Sequence, residues 1–535
     1  MLTTSPAPIE QQPLPVAQTR SGWRVALLAA VGAVAAISMI PFVYLLVRAS
    51  DKPIDEIIQL LFRQKTLEVL ATTASLVVCV VVINLVLGVA IASGLHFVQL
   101  PMRRLLVIPT VLPLAIPSYV FTYTWVALMP SFSGFAAAVF ILSISTIPYI
   151  ILATLAGLRS IDGSQIEVAR SLGLNPVQVF SRVVFPQIRG HVSAGALLAG
   201  LYTMSDFGAV SLLNVETLTV SIQNMYRASY DRSAAAVISF VLIAFSILFV
   251  MANESIKGRS TNKQLLKSLS VKTPLIQKAY LQFATVLMIA AFAIVAVIVP
   301  FYVLLTRFFS NPVPIDWASL ASATFSTVSV AALGAFIALV LSAPLGYLLS
   351  GAPSRFATVT NKMVVIAHAL PGVVVGLALV SIGSKLGGLY QTTFLLALAY
   401  AILFLAKSVT SMSSSLARVP NGVKDVAATL GLNQWAVVKK VIAPIAAPGI
   451  GIGTILVFLT AMKELPATLM LRPTGFETLA TQIWSSGSIN RFNEAAPYAL
   501  ILVLVAAIPT FLISRPDKEE QSFNYENIGG PSERS

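Results

Sequence analysis

Two carboxylates, Asp206 and Glu464, stand 258 residues apart in a chain that is otherwise poor in charge. Each falls near the outer end of a long apolar run. An acid in such a place is costly, and it is a functional candidate by default. Carboxylate and phenol oxygens suit hard cations, and Tyr119, Tyr123, Tyr202, Tyr226 and Tyr230 lie nearby in sequence. Asp206 and Glu464 are therefore candidate substrate-pathway residues. Structural readings stand beside this one. Glu464 can pair with Arg472 or Lys463, Asp206 can accept hydrogen bonds from helix-end amides, and interfacial tyrosines belong to an ordinary aromatic belt. His96, His191 and His368 are scattered near loops and do not suggest a metal site. Cys79, the only cysteine, lies inside an apolar run and reads as a small buried hydrophobe. There is no G-x-x-x-x-G-K-[ST] phosphate loop, no Ser/His/Asp set and no Cys/His metal spacing. The chain is therefore not read as an enzyme, and no catalytic residue, resident cofactor or metal is expected.

A second pattern is duplicated at the same distance. Ser164 to Pro186 reads SQIEVARSLGLNPVQVFSRVVFP, and Gly422 to Pro444 reads GVKDVAATLGLNQWAVVKKVIAP. Nine of the 23 positions are identical. Each copy has an acid, then Val-Ala, then Gly six residues after the acid, then Pro thirteen after the Gly. The first part suits a short helix with its acid near the N-terminus, where the dipole favours it. Gly173 fits the left-handed residue that ends such a helix. Asn175 then fits an N-cap, with Pro176 at the first helical position of a second helix. Pro186 is expected to end or kink that helix as the chain re-enters the membrane. A polar bracket presented twice points to a contact surface for a paired partner.

The elements that must carry these residues are membrane spans. Hydrophobic residues make up 57% of the 535, charged residues only 10%, and the mean hydropathy is +0.86. A soluble domain carries about 25% charged residues. Apolar runs of spanning length lie near 25–47, 66–95, 105–129, 134–157, 190–213 and 234–253. Six more lie near 280–306, 320–349, 363–382, 390–410, 446–470 and 495–514. The expected fold is thus an all-α polytopic membrane protein of about twelve transmembrane helices. The first run starts too far from the N-terminus, and is too long, for a cleaved signal peptide. Further matches at the same offset pair Gly88 with Gly346 and Pro113 with Pro371, while Pro41-Phe42 matches Pro300-Phe301 at 259. Six spans per half make the two repeats parallel rather than inverted. The expected organisation is an N-terminal tail (1–24), a first repeat (25–256), a linker (257–279), a second repeat (280–514) and a C-terminal tail (515–535).

The net charge of +14 follows from basic residues in short loops and does not indicate nucleic-acid binding. With the N-terminus in the cytoplasm, 24 of the 35 basic residues fall inside and 11 outside. The positive-inside bias therefore places both termini, the linker and both brackets in the cytoplasm.

The two brackets resemble the EAA motif of binding-protein-dependent ABC importer permeases. The first copy carries Glu167, Ala169, Gly173 and Pro186; the second carries Asp425, Ala427, Gly431 and Pro444. The middle Ala of that motif is Val168 and Val426 here, and the second acid is the shorter Asp. The resemblance implies that residues 164–172 and 422–430 are coupling helices for two copies of a cytoplasmic ATPase, with a substrate-binding protein docking outside. The double-length chain resembles the ferric iron permeases of bacterial inner membranes. Ser205-Asp206-Phe207-Gly208-Ala209, Lys463-Glu464-Leu465-Pro466-Ala467-Thr468 and the stretch Gly475–Thr481 carry that likeness. Fused permeases for thiamine share the architecture, so thiamine or another small solute is the alternative substrate. An ion-gradient-driven secondary transporter and a non-transporting scaffold are the alternatives of other classes.

Overall fold

The computed structural model describes residues 20–227, 232–257, 276–310, 314–351, 354–368, 370–420, 422–423, 429–430 and 434–513. Most of both tails and of the linker, together with Tyr230, Asp425, Ala427 and Gly431, lies outside the described residues. The described residues form helices, with a single isolated bridge between Val98 and Ile276. This is the economical solution in lipid, where every backbone amide must find its partner within the segment.

Nine helices among the described residues are long and apolar enough to cross a membrane, and two further spans are broken. The broken ones pair Arg103–Ala115 with Ser118–Leu128 at 96°, and Arg355–His368 with Gly372–Lys385 at 101°. Pro117 and Pro371 sit at the two breaks with nearly the same extended geometry, φ −65° and −62°. The residue before Pro117, Ile116, is extended as well, as the proline ring demands. The helix Phe185–Ser205 occupies the remaining expected span. Its first turns carry Gln187, Arg189 and His191, which explains why it is less apolar than its counterpart Ala443–Met462.

Pro186 and Pro444 do not end their helices. A π-helical turn, Phe180–Val184 or Val438–Ile442, immediately precedes each, and the helix runs on through the proline. A third such turn, Ile294–Ile298, precedes Pro300. In each case the residue just before the proline donates to the carbonyl five back, Phe185 to Phe180, Ala443 to Val438 and Val299 to Ile294. A proline ring would otherwise press on the carbonyl four residues earlier; widening the turn relieves the clash without breaking the helix.

The repeat is real but its register shifts. Pro371 corresponds to Pro117 at the helix break, an offset of 254, rather than to Pro113. The helix after the break has 11 residues in the first half and 14 in the second, and the following loop is longer too. This insertion restores 258 by the brackets. The Gly88 and Gly346 match is displaced by the same helical turn. Gly88 still has a packing reason: a Cβ there would lie 2.8 Å from Ile150, on the neighbouring helix Gly134–Arg159. Small residues let membrane helices approach this closely. The first helix of each half packs across: Arg20–Ala49 lies against Arg355–His368 and Gly372–Lys385, while Ala279–Ala293 lies against Arg103–Val111 and Gln64–Phe97.

Candidate functional site: the brackets and the junction of the halves

The first bracket is built by local rules. Asp162 caps the helix Gly163–Ser171 by accepting from the Ser164 amide at 3.1 Å. Gly173 ends it at φ +83°. The Gly173 amide donates to the Arg170 carbonyl at 2.9 Å, and Leu174 donates to Ala169 at 3.2 Å. These are the two bonds of a Schellman motif, and they require a left-handed residue where Gly173 stands. Asn175 and Gln178 then cap each other's backbone amides at 2.9 and 3.0 Å, with Pro176 opening the second helix. This is the geometry expected from the residue types.

The bracket has two faces. Ile166 and Ala169 are buried against Val179, Val184 and Ile188, and Gln187 ties the re-entering helix to Gln165 at 3.0 Å. Glu167, Arg170, Leu172 and Val177 point to solvent. Leu172 is 76% exposed, and so is Leu430, its equivalent in the second copy. A leucine left bare at the same place in both copies marks a surface that expects cover. Around Pro444, Val437, Ile442 and Ala446 form the same buried seat as Val179, Val184 and Ile188.

At the other end of the re-entering helices lie the two acids. Asp206 accepts from the Ala209 amide at 2.9 Å, from the Val210 amide at 3.4 Å and from the Ser118 hydroxyl. Glu464 accepts from the Ala467 amide at 2.9 Å. Each acid thus caps a short helix, Gly208–Leu212 or Pro466–Leu471, at equivalent positions. The amide-binding reading of Asp206 holds and extends to Glu464. Glu464 does not pair with its basic neighbours: Arg472 binds Glu477, and Lys463 donates to the Leu114 carbonyl of the first half at 2.7 Å.

The acids lie where the halves meet. A Cβ on Gly208 would come within 3.2 Å of Leu465, and one on Gly372 would strike the Glu464 carboxylate. Tyr119 packs against Gly208 with its hydroxyl buried and unpartnered among the described residues. Tyr123 donates to the Phe492 carbonyl at 2.6 Å, across the halves, and Arg232 lies over the Tyr226 ring. A cavity of about 160 Å³ opens beside this junction, lined by Tyr123, Ser211, Asn214, Trp484, Asn490 and Phe492 among others. Among the described residues, no three His, Cys, Asp or Glu side chains gather as a metal would need.

Other features of this region are legible in the sequence only in part. Thr73 accepts from the Leu218 amide at 3.0 Å, and Thr327 accepts from Leu479 at 2.8 Å, so one hydroxyl from a long span seats a short helix in each half. The signal is Glu216-Thr217-Leu218, repeated in Glu477-Thr478-Leu479 at an offset of 261. Tyr400, bonded to Thr468 at 2.6 Å beneath Glu464, has no such signal.

A chain of two parallel halves, each with a polar bracket and a broken span, has the architecture of an importer permease. The family model of the binding-protein-dependent transport system inner membrane component matches residues 85–261 and again 342–515. The chain belongs to that family of ABC importer permeases, as a double-length, multi-pass inner-membrane member. Such a component works with a substrate-binding protein and an ATPase. Across 482 residues it is 32% identical to an Fe(3+)-transport system permease protein, FbpB 2, of Haemophilus influenzae, covering 89% of this chain and 95% of the relative. Sulfate permease 2 of Chlamydomonas reinhardtii is 27% identical over 251 residues, 42% of this chain and 67% of that one. A phosphate transport system permease protein, PstA 1, of Mycobacterium tuberculosis is 31% identical over 140 residues, 25% of this chain and 46% of that one.

Proposed function

We propose that this chain is the whole membrane-spanning part of a ferric iron importer, energised by two copies of a separate cytoplasmic ATPase. The observation that carries the substrate is the likeness to the Fe(3+)-transport permease across 95% of that relative's length. The other relatives match over much shorter stretches. Both termini and both brackets face the cytoplasm, in keeping with the positive-inside bias. The bare face of residues 164–172 docks on one ATPase, and residues 422–430 dock on the other. Gly173 aims the first of these segments, Glu167 sits on it, Ala169 seats it and Pro186 joins it to the re-entering helix; Gly431, Asp425, Ala427 and Pro444 are proposed for the same coupling role in the second copy.

Substrate released by an external binding protein passes between the halves. Asp206 and Glu464 offer negative charge there, held by helix amides rather than by cations. Carboxylates fixed in this way lower the barrier for a hard cation without binding it tightly. Deletion of the gene tests the substrate. Loss of iron uptake with thiamine uptake intact supports ferric iron; the reverse leaves only the permease reading standing.

A further inference from the structure

Two lysines of the second half, one within a span and one at the end of another, stand without an acid. Lys407 lies on the helix Thr393–Ala417 and donates to the Thr460 hydroxyl at 3.3 Å. Lys463 follows the helix Ala443–Met462 and donates to the Leu114 carbonyl at 2.7 Å. Thr460 links them, because its own carbonyl accepts from the Lys463 amide at 3.3 Å. No ion pair joins either to a carboxylate among the described residues; the neighbouring Glu464 turns to the Ala467 amide instead. Each ammonium has three N–H donors and, among the described residues, one hydrogen bond to a neutral oxygen, and the Lys407 head also lies 5.3 Å from the Phe404 ring centroid.

The pair reaches the junction of the halves. The Leu114 contact crosses from one half to the other, and Leu459 and Ile455 of the same helix pack on Ala115 and Leu112 of the first half. Both lysines are partly buried. The repeat shows that the charge is not a requirement of the fold. At the equivalent positions the first half has Tyr149 and Ser205, both neutral. Tyr149 there lies beside Tyr202, with ring centroids 6.1 Å apart. Two like charges kept on one half only, one of them within a span where charge is costly, mark a site for one counter-charge.

We propose that Lys407 and Lys463 form an oxyanion-binding site on the wall of the path, so that an oxyanion crosses either as an oxygen ligand on the ferric ion or by itself. This rests on the permease reading but not on iron. Lysine ammonium groups bind phosphate-like anions as point charges. A trivalent cation stripped of anionic ligands would be repelled here, whereas a ferric ion already carrying an oxyanion would find the carboxylates and the ammonium groups both useful.

The test uses the complete complex, reconstituted with ATPase and binding protein, with radiolabelled iron and radiolabelled inorganic phosphate supplied together and separately. Phosphate entering with iron, in fixed ratio, supports the site with the anion as a ligand. Phosphate entering equally well without iron supports the site and overturns the ferric reading instead. Lys407→Met with Lys463→Met is expected to lower uptake about tenfold or more, the loss of charge-assisted bonds, with Lys→Arg at both positions restoring most of it. Should the Met variant fail to assemble, saturable phosphate binding to the wild-type complex, competed by sulfate, supports the site, and no saturable binding overturns it. Iron entering without phosphate, together with undiminished uptake by an assembled double-Met variant, overturns the proposal. So does a double-Met variant with normal uptake that has become leaky to sodium, which would make the lysines a barrier to cations.

Discussion

Replacing Gly173 probes the bracket most sharply, because the structure separates strain from steric bulk. A Cβ at Gly173 would meet nothing within 4 Å. Its cost is therefore conformational. A residue with a Cβ loses about 1–2 kcal/mol at a left-handed φ such as the +83° observed. Escaping to a right-handed conformation instead gives up the Gly173–Arg170 and Leu174–Ala169 bonds, at about 0.5–1.5 kcal/mol each. The two routes cost about the same, so Gly173→Ala should populate the docked geometry about 5- to 30-fold less. Asn tolerates this region better and should fall between Gly and Ala; Val should be worst. The assay is the affinity of the purified, detergent-solubilised permease for its ATPase, with membrane insertion scored in parallel. The expected order is Gly, Asn, Ala, Val, with insertion unchanged. Equal affinity across the series, with normal uptake for Val, would refute the bracket's role in docking.

Other expectations concern the junction, the π turns and topology. Asp206→Asn with Glu464→Gln keeps volume and most amide capping while removing both charges, and it should reduce iron uptake much more than it reduces recovery of the ATPase complex; equal effects on both would make the acids purely structural. Asp206→Ala, by contrast, leaves the Ser118 hydroxyl and the Ala209 and Val210 amides without their acceptor, and should destabilise by about 1–3 kcal/mol, read as a lower thermal midpoint. Pro186→Ala removes the reason for the widened turn and should let it relax to regular α-helix, rotating the bracket against its span; ATPase activity should then uncouple from uptake, and unchanged coupling would count against the turn. Reporter fusions after Lys267 and after Asn433 should both report the cytoplasm, and a periplasmic signal from either would contradict the parallel arrangement.

What can be read from the chain alone divides by range. Gly173, Asn175 and Pro176 are legible because capping depends on residues within one or two turns. Pro186 is not, because a helix interior has two responses to proline, and the π turn is visible only in which carbonyl Phe185 chooses. The offset of 258 holds at Asp206 and Glu464 but slips at Pro371, since an insertion after the break leaves no mark when both flanks are apolar. The sequence leaves the partner of Glu464 open among Arg472, Lys463 and helix amides. Distance along the chain favours the lysine next door, yet Lys463 reaches instead to Leu114, 349 positions away. Long-range hydroxyl contacts such as Thr73 to Leu218 leave no trace in the residues around Thr73.

The measurement that bears most directly on the function is uptake by sealed vesicles containing this chain, with and without its ATPase and the iron-loaded binding protein. Radiolabelled iron should enter only when the ATPase, the binding protein and hydrolysable ATP are all present. Entry driven by an imposed proton or sodium gradient without the ATPase would contradict the account, and would make the chain a secondary transporter.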